Sequence, residues 1–597
     1  MKEVVIVNKV NIRLLVAAAA TLLLLVLAGC SAPAQQAAPA EQGEQAAPAS
    51  AEGSAPAAQT ASGEKVLILG LYQEPELLNP LIRTQTAANL VAGFVEEGLV
   101  DVDPDGEYYP VLAKEVPSVE NGLVSEDGLT VRYNLLEDVV WSDGEPFTCD
   151  DVLFTWEVAV NPDSGAVNTT GFDKIASITC EDDHTAVVQF SEFYAPFKDI
   201  FTFVLPRHAT GDPAQMQEWE FNWNPIGTGP FKLESWTSGD SLVFVANENY
   251  RGQPDKPHLD KLIVRIIPSR EVGKALITSG EIHFLWDLTE ADVPEFRDNP
   301  DITVNSAPGP GTERLVLNLA DPTLDATDDP LNNPHPLLGD LRVRQAIQYG
   351  IDKQFIVDEL LYGATTVGVS ELSLGWAKCD IPPSEYNPDK ARALLEEAGF
   401  IDQDGDGIRE CHGCLYAEEG TPLRLKYQTT SGNQLREESQ QLILEMMADI
   451  GIEFYIENVP SSELFGSWAS GAFRKHGQFD VLMYTTSDSI DPHSQMDGYF
   501  HKDKMPTEAN GGNGFNYSRW VNDIASEAID RAGASPDPAV RKENYQIACE
   551  QIAAELPHIY LYDRAEIHLT RSNVKGYQVN VWSPHDQSWN AADWDIE

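Results

Sequence analysis

Positive charge is what this chain of 597 residues has least of: 40 Lys and Arg stand against 94 Asp and Glu, a formal net charge of −54. A polyanion such as DNA or RNA is repelled at long range by such a field, because nucleic-acid binders need a basic footprint that displaces counterions. Nucleic acid is therefore excluded as a partner class. Long apolar runs are scarce too. Beyond the first thirty residues no stretch approaches 18 consecutive apolar residues, so no later membrane-spanning helix is expected. Catalytic signatures are also missing: HExxH, GxSxG and GxxxxGK[ST] do not occur. Gly227-Thr228-Gly229 is a bare GxG followed by Pro230, which suits a tight turn and cannot open a dinucleotide-binding helix. His335, His493, His501 and His585 have no nucleophile and orienting acid set beside them in sequence. Enzyme chemistry is not expected.

What is present is the composition of a folded protein, 42% hydrophobic and 9% aromatic, long enough for about three or four structural units. Lys2, Lys9 and Arg13 precede an apolar run from Leu14 to Leu27, which ends Leu27-Ala28-Gly29-Cys30. This predicts an export signal over 1–29, too short in its apolar core for a comfortable membrane span. Removing it takes away two net positive charges and leaves −56. From Ser31 to Gly63 the chain is almost wholly Ala, Pro, Gln, Glu, Ser and Gly, and 30–63 reads as a disordered tether with nothing to bury. The rest is expected to be extracytoplasmic.

The body changes character along its length. Lys65 to Leu69 reads as a strand, and the region of about 95–220 reads as a β-rich subdomain with turns such as Ser142-Asp143-Gly144. Later, Asn387 can cap a helix with Pro388 in its first turn and Gly399 as its stop. Leu423, Leu425 and Tyr427 alternate in a strand, an apolar-faced helix follows, and Ile452, Phe454 and Ile456 alternate again. Strand, helix and strand with that connection form a βαβ unit with parallel strands, and Phe479 to Thr485 joins the same sheet. This half is α/β, a class in which ligands sit at the carboxyl ends of strands.

Three separated blocks carry a family resemblance. They are Trp141-Ser142-Asp143-Gly144-Glu145-Pro146-Phe147-Thr148-Cys149-Asp150-Asp151-Val152, Ile226-Gly227-Thr228-Gly229-Pro230-Phe231-Lys232-Leu233 with Asn249-Tyr250-Arg251-Gly252, and Asp340 to Ile347 running on to Gly350-Ile351-Asp352. In these the chain resembles family 5 of the bacterial extracytoplasmic solute-binding proteins, the dipeptide- and oligopeptide-binding lipoproteins of ABC importers. Cys149 and Arg251 stand where the family usually has Ala and Trp. The resemblance implies a two-lobed class II periplasmic-binding-protein fold. Lobe I would comprise 64–312, including the β-rich subdomain, with a return over 557–597, and lobe II would comprise 313–556. The crossings between lobes are expected near Arg314 to Leu319 and Pro557 to Tyr562. Leu-Ala-Gly-Cys matches the lipobox of bacterial lipoproteins, which makes Cys30 the acylated residue and ties the protein to the membrane. The implied function is capture of a peptide-like ligand by a monomer that delivers it to ABC permease subunits. An oligosaccharide, haem or a nickel complex is the alternative within the fold. An extracytoplasmic peptidase is the alternative of a different class, and a sensor or adhesion module using the same fold differs only in partner.

Candidate site residues follow. Asp488 comes just after the buried strand, and the resemblance implies an acid there for the ligand's α-ammonium group. Tyr484 and Thr485 stand beside it, Thr485 where the peptide-binding relatives usually carry Trp, and Asp491 precedes Pro492. Asp402, Asp404 and Asp406 alternate as in the first half of an EF-hand loop, with the Ile408 carbonyl and Glu410 as further oxygen donors for a structural Ca²⁺. The twelfth position is Gly413, not Glu, so no cofactor is required by the pattern. Export makes disulfides the first expectation for the cysteines. Cys149 and Cys180 can pair, and Cys379, Cys411 and Cys414 cluster as further disulfide candidates, with His412 completing a zinc-like alternative. Cys549 is expected as a buried free thiol.

Overall fold

A computed structural model describes residues 63–251, 256–487 and 489–597, apart from the side chain of Ser487. The leader, the tether, Cys30 and Asp488 lie outside the described residues. Strand β1 (Val66–Leu71) is buried along nearly its whole length, as its uninterrupted Val-Leu-Ile-Leu text requires. Helix α1 (Thr86–Ala92) follows. In the inserted subdomain, β2 (Thr130–Asn134), β3 (Ile175–Asp182) and β4 (Thr185–Phe190) form an antiparallel sheet of order β2-β4-β3. Helix α2 (Cys149–Ala159) packs on it, and a core of Tyr133, Trp141, Phe172, Val188 and Phe201 fills the space. The first resemblance block builds this helix start. Thr148 and Asp151 form a reciprocal capping box, and Trp141 Nε1 donates to Asp151 Oδ2 at 3.4 Å. Cys149 on α2 is bonded to Cys180 on β3, Cα to Cα 5.7 Å.

Strands β5 (Phe231–Thr237), β6 (Ser241–Ala246) and β7 (Lys261–Ile266) make an antiparallel meander, and β7 runs parallel to β1, as does β8 (Phe284–Leu285) on the other side. The second block belongs here. A Cβ on Gly227 would lie 1.9 Å from the Val95 carbonyl oxygen, so the two backbones touch and only glycine fits. Arg251, the local departure, pairs with Glu97 at 3.0 Å through Nη2.

The long strand β9 (Ile302–Leu317) leads to α3 (Leu341–Gly350), α4 (Lys353–Leu360) and α5 (Pro388–Glu397). Asn387 caps α5 by accepting from Lys390 N at 3.0 Å, and Asp340 caps α3 in the third block. Then β10 (Arg424–Gln428), α6 (Gln434–Asp449) and β11 (Glu453–Ile456) form the βαβ unit, with β10 and β11 parallel. Strand β12 (Val481–Ser487), helix α7 (Pro538–Glu555) and strand β13 (His558–Arg571) complete the described frame.

One sheet of ten strands runs through both lobes in the order β11-β10-β12-β9-β13-β8-β1-β7-β6-β5. Its middle is the antiparallel pair β9 and β13, running from Ile302 opposite Arg571 to Val316 opposite His558, with a break between Pro308 and Thr312 and a second register shift between Glu313 and Arg314. On one side of the break Ile302, Ile567 and Leu569 pack into the lobe I core; on the other Leu315, Leu317, Ile559 and Leu561 pack into the lobe II core. The chain thus has a two-lobed α/β fold whose crossing is the break itself. The stretches Arg314 to Leu319 and Pro557 to Tyr562, expected as the crossing, lie on its lobe II side. They are apolar because lobe II buries them, whereas the crossing reads Pro308-Gly309-Pro310-Gly311 and carries no hydrophobic signal.

Cys549 is not a free thiol. It faces Cys379 from α7 with Cα atoms 6.4 Å apart and is bonded to it. The sequence places these two cysteines 170 residues apart, which hides their proximity. Cys411 and Cys414 form the third pair, Cα to Cα 5.6 Å, at the base of the hairpin of Phe400–Ile401 and Glu410–Cys411.

Candidate binding cleft

The register pairs Gly311 of β9 with Ser487 of β12, so β12 ends at the crossing, where Asp488 would follow. Of the residues singled out beside it, Tyr484 is 1% exposed and packs its ring on Phe465 with the Arg474 guanidinium over its face, so it belongs to the lobe II core and not to a ligand surface. Alternation turns Thr485 the other way. Its hydroxyl donates to Glu313 Oε2 at 2.5 Å and accepts from Arg436 Nη2 at 3.0 Å. Glu313 is completely buried and holds Arg436 Nε at 2.9 Å, so Thr485 completes a paired acid and base at the start of α6.

Asp491 is also buried. Both of its oxygens accept from Arg541, at 2.6 and 2.7 Å, and Oδ1 also accepts from the His493 backbone at 3.0 Å. The carboxylate is therefore neutralised within the protein and has no spare charge for a ligand's ammonium. It nonetheless lines a cavity of about 140 Å³ between the inserted subdomain, through Glu107, Tyr108 and Lys198, and lobe II, through Trp376, Asp491 and Arg541. The Tyr108 hydroxyl donates to Asp199, whose pKa burial pushes up to about 7, with the nearby Asp491 charge adding to the rise. Burial moves Lys198 down.

A larger hollow, about 400 Å³, lies in lobe I against Pro310 of the crossing. Trp286, Asp287, Glu566 and Asp586 line it, with Thr86 and Asn89 of α1. Asp287 is bonded by the Tyr72 hydroxyl and lies 3.3 Å from Arg270 Nη2. Asp586 has no cation beside it, and its relief comes from hydrogen bonds of Gln587 and Trp286. It is held at φ +54°, a left-handed backbone that costs energy away from glycine, and its Oδ2 is buried without a hydrogen-bond partner among the described residues. Burial pushes its pKa up to about 6. Glu566 is pushed up to about 8, first by desolvation and then by the charges of Asp586, Asp287 and Glu290, although 42% of its side-chain surface stays open and water in the hollow screens it. Sequence reading missed this group because Asp287, Glu566 and Asp586 come from three distant segments and no spacing links them.

Asp402, Asp404 and Asp406 are brought together at the tip of the hairpin, their carboxylate oxygens within 4.8 Å of one another and all three residues exposed. Glu410 instead accepts from the Gln403 backbone at 3.3 Å. No other such trio of potential ligands, and no zinc-like Cys and His group, occurs among the described residues.

Two lobes on a shared sheet, with charged and aromatic side chains gathered at the crossing, are the architecture of a two-lobed binding protein. The chain belongs to the bacterial extracellular solute-binding proteins, family 5, whose model (described as "Middle") matches residues 107–507. It is 26% identical over 539 residues to the oligopeptide-binding protein AppA of Bacillus subtilis, covering 88% of this chain and 91% of that one. It is 27% identical over 428 residues to the nickel-binding periplasmic protein of Escherichia coli, covering 70% and 74%. The crystal structure of a nickel ABC transporter protein from Bacillus halodurans shares the fold with a TM-score of 0.71 at 21% identity, covering 89% of this chain and 100% of that one. The chain is accordingly a solute-binding protein of an ABC importer and not an enzyme.

Proposed function

We propose that the solute is a peptide with a free α-ammonium group, taken up between the lobes and handed to the permease. The observation that carries this reading is the acidic hollow at the crossing, where Glu566 and the unpartnered Asp586 oxygen stand in excess over the nearby cations. An ammonium group placed there ionises both carboxylates and restores the missing hydrogen bond, so the attraction is charge-assisted and specific for a donor cation. The naming of AppA as an oligopeptide-binding protein supports the same ligand class. A bare metal ion is less well served, because the one trio of potential ligands among the described residues is the exposed Asp402, Asp404 and Asp406 group, which is not part of the hollow. Asp488, the next residue in sequence after Ser487, is a further acid for the same ammonium. Ligand that bridges the lobes favours the closed form through contacts the open form lacks.

The protein works as a monomer held to the membrane by lipid on Cys30, and Cys30→Ser releases it in soluble form from cells. Ca²⁺ stabilises the hairpin through Asp402, Asp404 and Asp406, a role tested by a rise in melting temperature with Ca²⁺ that Asp404→Asn abolishes. The ligand reading is tested by calorimetry with a panel of short peptides, each with a free and an N-acetylated terminus. Free peptides are expected to bind at least tenfold tighter and to release protons at pH 7, read from the dependence of the heat on buffer ionisation. Equal binding of acetylated peptides, or binding only of nickel chelates, overturns it.

A further inference from the structure

The three disulfides of the described residues close loops of very different length: Cys149 and Cys180 are 31 residues apart, Cys379 and Cys549 are 170, and Cys411 and Cys414 are 3. A crosslink and the fold stabilise each other equally, and the mutual gain grows with the loop that is closed. By the chain-entropy scaling, the fold holds the Cys411 to Cys414 bond about 30-fold less firmly than the first pair and about 400-fold less firmly than the second. It is the bond a thiol should open first.

Its surroundings suit that chemistry. Cys411 is 1% exposed on its short strand, whereas Cys414 is half-buried. The turn between them is uncovered, since a Cβ on the exposed Gly413 would meet nothing within 4 Å, and Leu415 and Tyr416 beyond it are exposed. An incoming thiol therefore meets Cys414 and not Cys411. The Cys414 amide donates to Cys411 Sγ at 3.3 Å, where it steadies the charge of a leaving thiolate. Each sulfur also faces a carbonyl oxygen, that of Ala417 at 3.5 Å from Cys411 Sγ and that of Gly399 at 3.6 Å from Cys414 Sγ. A disulfide has no hydrogen for these acceptors, and two thiols have one each. Cys379 and Cys549 are both buried. Cys180 is half-buried like Cys414, so loop length and the hydrogen bonds at sulfur, more than access, set the third pair apart.

The place is also held together without the bond. The Cys411 amide donates to the Thr421 carbonyl and its carbonyl accepts from the Gly420 amide, both at 2.8 Å, and the His412 amide donates to the Gly399 carbonyl at 2.7 Å. Glu419 accepts from the Gly413 amide at 3.1 Å. After reduction the two sulfurs stay close enough to join again.

We infer that Cys411 and Cys414 form a reversible thiol–disulfide exchange site whose reaction partner is a dithiol. One thiolate of the dithiol attacks Cys414 Sγ, the bond to Cys411 breaks, and Cys411 leaves as a thiolate that takes up a proton. The second thiol of the partner, losing its proton, closes on the partner's first sulfur and releases Cys414, which is protonated in turn. Two electrons pass to the protein, which ends with two thiols, and the partner ends as a disulfide. The inference is independent of the solute held at the crossing.

The test equilibrates the whole protein with mixtures of reduced and oxidised dithiothreitol, traps free thiols with iodoacetamide and reads each cysteine by peptide mass spectrometry. The Cys411 and Cys414 pair is expected to be half reduced at a ratio of reduced to oxidised dithiothreitol at least tenfold below that of either other pair. The circular dichroism spectrum is expected to stay unchanged, and excess oxidised dithiothreitol to restore the bond. Single variants read the direction of attack: Cys414 left free by Cys411→Ser is expected to alkylate at least tenfold faster than Cys411 left free by Cys414→Ser. Reduction of all three pairs together, reduction only where the circular dichroism signal of the fold is lost, or alkylation of Cys411 as fast as Cys414 each overturns the inference.

Discussion

Replacing Lys353 by Met reads out the cost of its burial as a difference in pH dependence. The amine titrates near pH 7 in the folded protein, below its ordinary 10.5, because desolvation disfavours the charged form. Between those values the unfolded chain holds nearly one proton more than the folded one, so native stability rises with pH through that window. Linkage sets the slope at up to about 1.4 kcal/mol per pH unit, or about 2 kcal/mol between pH 7 and 9. The Met variant has no amine to titrate and lacks this slope. It should be more stable than the native protein at pH 7, with the gap closing by about 2 kcal/mol at pH 9. Urea unfolding followed by tryptophan fluorescence at pH 7, 8 and 9 measures it, since every other titrating group cancels between the two proteins. Parallel stability curves would show that Lys353 is solvated or paired, and the reasoning fails.

Arg541→Met strands the Asp491 carboxylate in a buried place and is expected to cost about 3–5 kcal/mol, part of which Asp491→Asn in the same chain restores; thermal unfolding of the single and double variants checks this. Loss of the Cys379 to Cys549 bond, which closes a separation of 170 residues, is expected to cost about 5 kcal/mol by chain entropy, against about 4 for Cys149 to Cys180 at 31. Alanine pairs and urea unfolding give the order, and a crosslinked 379 and 549 peptide pair on non-reducing digestion confirms the connection. For Asp586, with a folded pKa raised to about 6, the folded state holds the extra proton above pH 3.8, so its contribution is full below that value and is lost as pH rises through 6. Asp586→Asn, which tolerates φ +54°, is therefore expected to raise the melting temperature at pH 7 and to have little effect at pH 4.

The blocks that made the family legible turn out to be scaffold. Trp141 to Asp151 starts α2, Gly227 lets two backbones touch, and Asp340 and Arg344 fix α3, Arg344 by donating to the Leu338 carbonyl at 2.6 Å and the Glu555 carbonyl at 2.8 Å. Such local demands repeat wherever the fold does, so they can be read without its ligand. The βαβ unit of β10, α6 and β11 was readable for the same reason, through period and caps. The proposed binding surface, by contrast, is assembled across the chain. Glu566 and Asp586 gain their raised pKa values from burial by segments remote in sequence, Asp491 is silenced by Arg541 fifty residues on, and Lys353 reads as any surface lysine at a helix start until α7 and β13 cover it. Tyr484 and Thr485 were separable only by knowing which face of β12 the core takes.

The continuous sheet has a mechanical meaning. Two strands that remain hydrogen-bonded on both sides of Pro308 to Thr312 resist sliding past one another, since sliding would break the whole ladder, but they yield to twist where the register is broken. Opening should then be a rotation about the strand direction, absorbed in Gly309 and Gly311, with the amides of Arg314 to Val316 exchanging as slowly in the empty protein as in the loaded one. Each lobe would keep its own interior through the cycle, and Pro-Gly-Pro-Gly would act as the bearing on which the rest turns.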